Sequence, residues 1–120
     1  MPTIVHFEIP ANDMERAKSF YTDLFGWKIE PFPGGEYMLV HTEPESRGIG
    51  GGIMKRQHPE QKIMNYIDVP SVDDFSARVE KLGGKVLMPK TAVPGMGYFV
   101  VCMDTEDNVF GLWECDERAK

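Results

Sequence analysis

His6 and Glu8 stand two residues apart in "TIVHFEI", a stretch dominated by β-branched and apolar residues. In an extended strand the side-chain period is two, so both point to one face while Phe7 and Ile9 point to the other. An imidazole beside a carboxylate can move protons near neutral pH, because histidine ordinarily titrates there. Sixty residues later, half of the 120-residue length, "YIDVP" repeats the pattern of "HFEIP". Tyr66 and Asp68 then hold the positions of His6 and Glu8. His6, Glu8 and Tyr66 are the candidate catalytic groups. If Glu8 and Asp68 share one closed space, repulsion and desolvation raise one pKa and make an acid/base pair. If each meets water or a backbone donor, they are ordinary carboxylates.

These side chains need strands to aim them, and the repeat supplies the plan. The spacing predicts a strand over Thr3 to Ile9, broken by Pro10 and Asn12. Asn12 is the expected N-cap, with Glu15 in the capping-box position. A helix to about Phe25 carries Met14, Ala17, Phe20, Tyr21 and Leu24 as one stripe and stops at Gly26. "WKIEPF", "EYMLVHT" and "IGGGIMKR" read as strands, with "PESRG" as a turn. The second half repeats the order. It has a strand over Ile63 to Val69, then a helix over Val72 to Leu82 with Phe75, Val79 and Leu82 on one face. The strands "KVLMP", "GYFVVCMD" and "VFGLWEC" follow.

The expected fold is α+β: two βαβββ modules forming paired curved sheets around a cleft, a natural small-molecule site. It makes one domain over 1–120, with module one at about 1–56, a linker at about 57–62 and module two at about 63–120. Gly51, Ile53, Asp68, Phe99, Gly111 and Trp113 are the candidate ligand-lining residues, with Tyr37 a further aromatic candidate. "GIGGGIMKR" lacks the spacing of a phosphate loop. A glycine-rich strand instead admits a close backbone or a flat ligand. His41 and His58 are expected in solvent.

Composition narrows the partners. Thirteen Lys and Arg against nineteen Asp and Glu give a net charge of −6. That disfavours nucleic acid and anionic membranes, which select basic faces. The two cysteines, Cys102 and Cys115, make no disulfide framework and no metal spacing. No apolar run approaches the length of a membrane span. The N-terminal stretch has no signal-peptide pattern, so a cytoplasmic location is expected.

Beyond its periodicity, the chain resembles the vicinal oxygen chelate superfamily, which includes glyoxalase I, bleomycin-resistance proteins and extradiol dioxygenases. The residues carrying the resemblance are "HFEIP" from His6, "DMERAKSFYTDLFGW" from Asp13, "LGGKV" from Leu82, "PGMGYFVV" from Pro94 and "DTEDNVFGLWE" from Asp104. The resemblance implies two βαβββ modules in one chain, often paired as a homodimer. In metal-dependent members it implies a His on each first strand and a Glu on each last strand. Carried over, these positions are His6, Tyr66 (Asn65 after a one-residue slip), Gly51 and Gly111. Three of the four are lost, and one imidazole holds no divalent ion.

No cofactor is therefore expected. A divalent metal enters only through a displaced set, His6 with Glu8, Asp68 or Glu114, although alternation turns Glu114 away from the cleft. The resulting expectation is a glyoxalase-like small-molecule-binding protein, either a binder or a metal-free enzyme of lyase or isomerase type. Its rivals are a metal-dependent lyase or dioxygenase with a rearranged ligand set, and a dimeric interaction module with a vestigial cleft.

Overall fold

A computed structural model describes residues 2–33, 35–42 and 48–120. Most of the expected turn "PESRG" lies outside the described residues.

Both helices start where a side chain caps them. Asp13 accepts the amide N–H of Arg16 at 3.0 Å and opens α1, Met14–Phe25. The cap is thus Asp13 and not Asn12, whose carboxamide oxygen instead accepts from Arg56 Nε at 3.1 Å. Gly26 closes α1 at φ 74°, the left-handed conformation that glycine adopts without strain. Ser71 caps α2, Val72–Lys81. Leu82 lies past the helix end and is 73% exposed, so it does not extend the buried stripe as expected.

The strands are β1 (Ile4–Ala11), β2 (Lys28–Pro31), β3 (Tyr37–His41), β4 (Gly51–Lys55), β5 (Met64–Asp68), β6 (Lys85–Val93), β7 (Gly97–Met103) and β8 (Val109–Cys115). β1 runs through Pro10, which stays in register with Met54. Proline's fixed φ suits extended backbone, so the residue does not end the strand as expected.

The chain divides into two compact units, His6–Met64 and Met1–Val5 with Asn65–Lys120. In the first, the strand order is β2-β3-β4-β1, with β1 and β4 parallel and the other pairs antiparallel. In the second it is β6-β7-β8-β5, with β5 and β8 parallel. Each has the βαβββ order.

Each helix covers one sheet face. Under α1 lie Ile9, Ala11, Ile29, Met38, Val40 and Ile53, with Phe7, Met14, Tyr21 and Trp27 packed on them. Ile53 has no exposed surface. It is core, not a ligand-lining residue, because its register with Ile9 puts it on the helix side. Under α2 lie Val69, Val72, Val100, Cys102 and Leu112. Burial pushes the Cys102 thiol pKa up, which makes it an inert packing group.

Candidate functional site

With Phe7 and Ile9 committed to the core, alternation turns His6 and Glu8 to the opposite face of the first unit. β3 behaves the same way. Met38 and Val40 are buried, and Tyr37, Leu39 and His41 take the other face. Tyr37 closes a line across this face. Its hydroxyl lies 2.6 Å from His6 Nε2 and donates to Glu8 Oε2 at 2.9 Å. A phenol has one proton to give. Since that proton goes to Glu8, the Tyr37 oxygen accepts the N–H of His6, which fixes the His6 proton on Nε2 and its lone pair on Nδ1. The two rings are nearly parallel, at 11°. Burial holds the His6 pKa below its ordinary 6.5, so the ring is uncharged at neutral pH.

Glycine makes this line possible. A Cβ on Gly52 would overlap the Tyr37 ring and hydroxyl, so the ring lies directly on the β4 backbone. Gly51 faces the other way. It pairs with Phe7, and a Cβ there would sit 2.5 Å from the Phe7 ring. Gly51 is therefore on the helix side and does not line the face with His6. The offset of sixty fails here because the last strand of the first module slips by one. Phe7 pairs with Gly51, so its strand neighbour His6 falls beside Gly50, while Tyr66 pairs with Gly111.

The second unit presents an aromatic face on the side away from α2. Tyr66, Asp68, Phe99, Gly111 and Trp113 share it by register. The Tyr66 ring occupies the space a Gly111 side chain would take and meets Phe99 edge-on at 6.3 Å. Trp113 lies against Gly97 and donates its indole N–H to Cys115 Sγ at 3.2 Å. Asp68 is half-buried, and its backbone N–H donates to Thr3 O at 2.8 Å.

Glu114 is on the opposite side. Its Oε1 accepts the Val72 amide at 2.9 Å, at the positive N-terminus of α2. This overturns Glu114 as a metal ligand. The other expected ligands fit an ion no better. The side-chain space at Gly111, beside Tyr66, is filled by the Tyr66 ring, a Cβ at Gly50, beside His6, would meet the Val40 carbonyl oxygen at 2.9 Å, and His6 Nε2 is committed to Tyr37. Among the described residues, no three of His, Cys, Asp and Glu stand close enough to hold a metal ion. The donor set therefore does not fit the family's metal centre.

The sequence offers Tyr37 only as an aromatic lining candidate and His41 only as a solvent residue, and the partners of both escape it. Tyr37 has Gly97 sixty residues on, so repeat logic could not select it as a partner of His6. The signal was alternation in β3 together with the neighbouring glycines. His41, expected in solvent, is half-buried and pairs with Glu30 Oε1 at 3.0 Å.

The fold and the two faces define a glyoxalase-like protein, and comparison with known proteins agrees. Residues 3–43 match the bleomycin resistance protein-like N-terminal family. A glyoxylase-like domain-containing protein of Didymella fabae is 34% identical over 115 residues, covering 88% of each chain. The anthracycline biosynthesis protein DnrV of Streptomyces peucetius is 29% identical over 89% of this chain, which spans 45% of DnrV. A glyoxalase/bleomycin resistance protein/dioxygenase superfamily member from Vibrio splendidus superposes with TM-score 0.72 at 13% identity, covering 97% of this chain and all of that one. The chain belongs to the glyoxalase-like family of the vicinal oxygen chelate superfamily. Among the described residues, no helix is long and apolar enough to cross a membrane.

Proposed function

We infer that this chain binds a small organic molecule at the His6–Tyr37–Glu8 line and moves a proton to or from it, in a reaction of lyase or isomerase type. The observation carrying this reading is the continuous hydrogen-bonded line from His6 Nε2 through Tyr37 Oη to Glu8 Oε2, at 2.6 and 2.9 Å.

The line can shuttle a proton without net charge separation in the ring. When the imidazole takes a proton from a ligand, its Nε2 proton passes to Tyr37 and the Tyr37 proton passes to Glu8. The ligand loses one proton, Glu8 gains it, and His6 and Tyr37 end neutral. Reversal returns the proton to a different atom of the ligand, which is an isomerisation. Burial favours this work, because it keeps His6 uncharged and ready to accept.

The second unit, taken by itself, presents an aromatic face whose Tyr66, Phe99 and Trp113 offer ring faces and edges to a planar or conjugated molecule. A cytoplasmic homodimer is the setting that the sequence suggests.

The test is a small-molecule screen by thermal shift, run with and without chelator. Hits should bind equally in both, and Tyr37→Phe should weaken them about tenfold, the worth of one good hydrogen bond. Binding that needs a divalent ion, or that ignores Tyr37→Phe, would replace this reading with the metal-dependent or vestigial one.

A further inference from the structure

His41 and Glu30 belong to the same unit and the same face as the line just described, yet take no part in it. Register fixes the face. Lys28 pairs with His41 and Glu30 with Leu39, while Ile29, Met38 and Val40 between them are core. Glu30 Oε1 lies 3.0 Å from His41 Nε2. A carboxylate only accepts, so His41 Nε2–H donates to it, and Nδ1 is the ring's other polar atom. Lys28 Nζ is 4.0 Å from the other oxygen of Glu30.

Two further observations turn the pair into a site. His41 lines a cavity of about 240 Å³ with Thr42, Gly48 and Gly50. That volume is fragment-sized, just under the usual range for ligand pockets. Gly50 is also the residue that falls beside His6, one step on from the Phe7–Gly51 pair on β1. On β3, Val40 pairs with Gly51, which brings His41 beside Gly50 as well. The two imidazoles therefore flank one glycine, roughly two strand spacings, ~10 Å, apart at their Cα atoms. Each gives its Nε2 proton to an acceptor.

We propose that the His41–Glu30 pair is a second recognition station for the same ligand, taking the hydroxyl of a planar hydroxylated small molecule whose other end meets His6 and Tyr37. His41 Nδ1 makes the hydrogen bond to that hydroxyl. Glu30 is a positioning residue that fixes the tautomer and the ring plane. The proposal rests on the ligand-binding reading above and deepens it.

The test uses 4-nitrophenol, a planar weak acid whose visible absorbance reports its hydroxyl. Titration into the wild-type protein should shift the absorbance band and the ring ¹⁵N signals of His41. His41→Gln should weaken binding about tenfold, a lost hydrogen bond. Glu30→Gln should weaken it less and move His41 to a tautomer mixture, and Glu30→Asp should restore part of both. Folding is checked by circular dichroism in each variant.

If Tyr37→Phe weakens the probe and His41→Gln does not, the second station is wrong and the main reading stands. If His41→Gln weakens it and Tyr37→Phe does not, the pair is a site of its own and the main reading falls. A probe that leaves the His41 signals unmoved in the wild-type protein overturns the proposal.

Discussion

The Tyr37 hydroxyl stands between His6 and Glu8, 2.6 Å from one and 2.9 Å from the other, and its ring lies on a glycine of the next strand. This one phenol orders two groups that sequence alternation merely places side by side. Removing its oxygen takes this hydrogen bond from both. Tyr37→Phe is expected to destabilise the fold by about 1–3 kcal/mol, the cost of two lost hydrogen bonds among half-buried polar groups. Urea unfolding checks the magnitude. Ring ¹⁵N shifts of His6 should lose the Nε2–H signature, and an unchanged tautomer would show that Tyr37 does not fix it.

A pH dependence follows from the burial of His6. Its pKa is lowered below 6.5 in the folded protein. The unfolded chain therefore binds this proton more readily than the folded one. The contribution is fully present above pH 6.5 and is lost as pH falls from there toward the folded value. Asp104, held below 3.8 chiefly by the amides of Asn108 and Glu106, acts only in more acid solution. Thermal unfolding should show a falling Tm below pH 6.5 that flattens in His6→Gln. A slope identical in the variant would sink the assignment.

Glycine and tyrosine should behave as coupled pairs. Gly111→Ala pushes a methyl into the Tyr66 ring and Gly52→Ala pushes one into Tyr37. Each should cost about 1–3 kcal/mol through overpacking. In a double-mutant cycle, Tyr66→Ala should recover part of the Gly111→Ala loss. Additive losses would mean the ring and the glycine do not compete for one space.

Core and face separate in a further experiment. Ile53→Ala empties a site with no exposed surface and should cost about 2–5 kcal/mol. At temperatures where the variant remains folded, its affinity for any hit of the screen should match the wild type. A specific loss of binding would return Ile53 to the ligand-lining set.

Metal addition is the direct check on the donor set. Zn²⁺, Ni²⁺, Mn²⁺ and Fe²⁺ should give no stabilisation that His6→Ala removes. A stoichiometric ion at His6 would overturn that reading and require further ligands beside the imidazole.

How much of this was legible in the sequence depends on which force decides. The βαβββ order is legible because apolar period and glycine stops are local signals. The placement of Phe7 and Ile9 against α1 follows from period two alone. Gly51 was assigned to the wrong face because a repeat offset assumes equal strand lengths, and one residue of slip inverts every side chain. Ile53 failed with it. Glu114 was correctly turned away from the ligand face, but its partner, the α2 N-terminus, is 42 residues distant in sequence. The Tyr37 line and the His41–Glu30 pair are diagonal contacts between strands. No periodicity within one strand encodes them.

The strand order has a consequence for how the chain is made. In each unit the last strand in sequence is not at the edge but inside, β4 between β3 and β1, and β8 between β7 and β5. A sheet whose inner strand comes last cannot close until that strand exists. During synthesis the His6–Met64 unit has all its strands once Lys55 is out. The other unit must wait for Val109–Cys115, with β5, β6 and β7 already made and their edges unpaired. The interval between those two moments is when this chain is most open to mispairing with another copy.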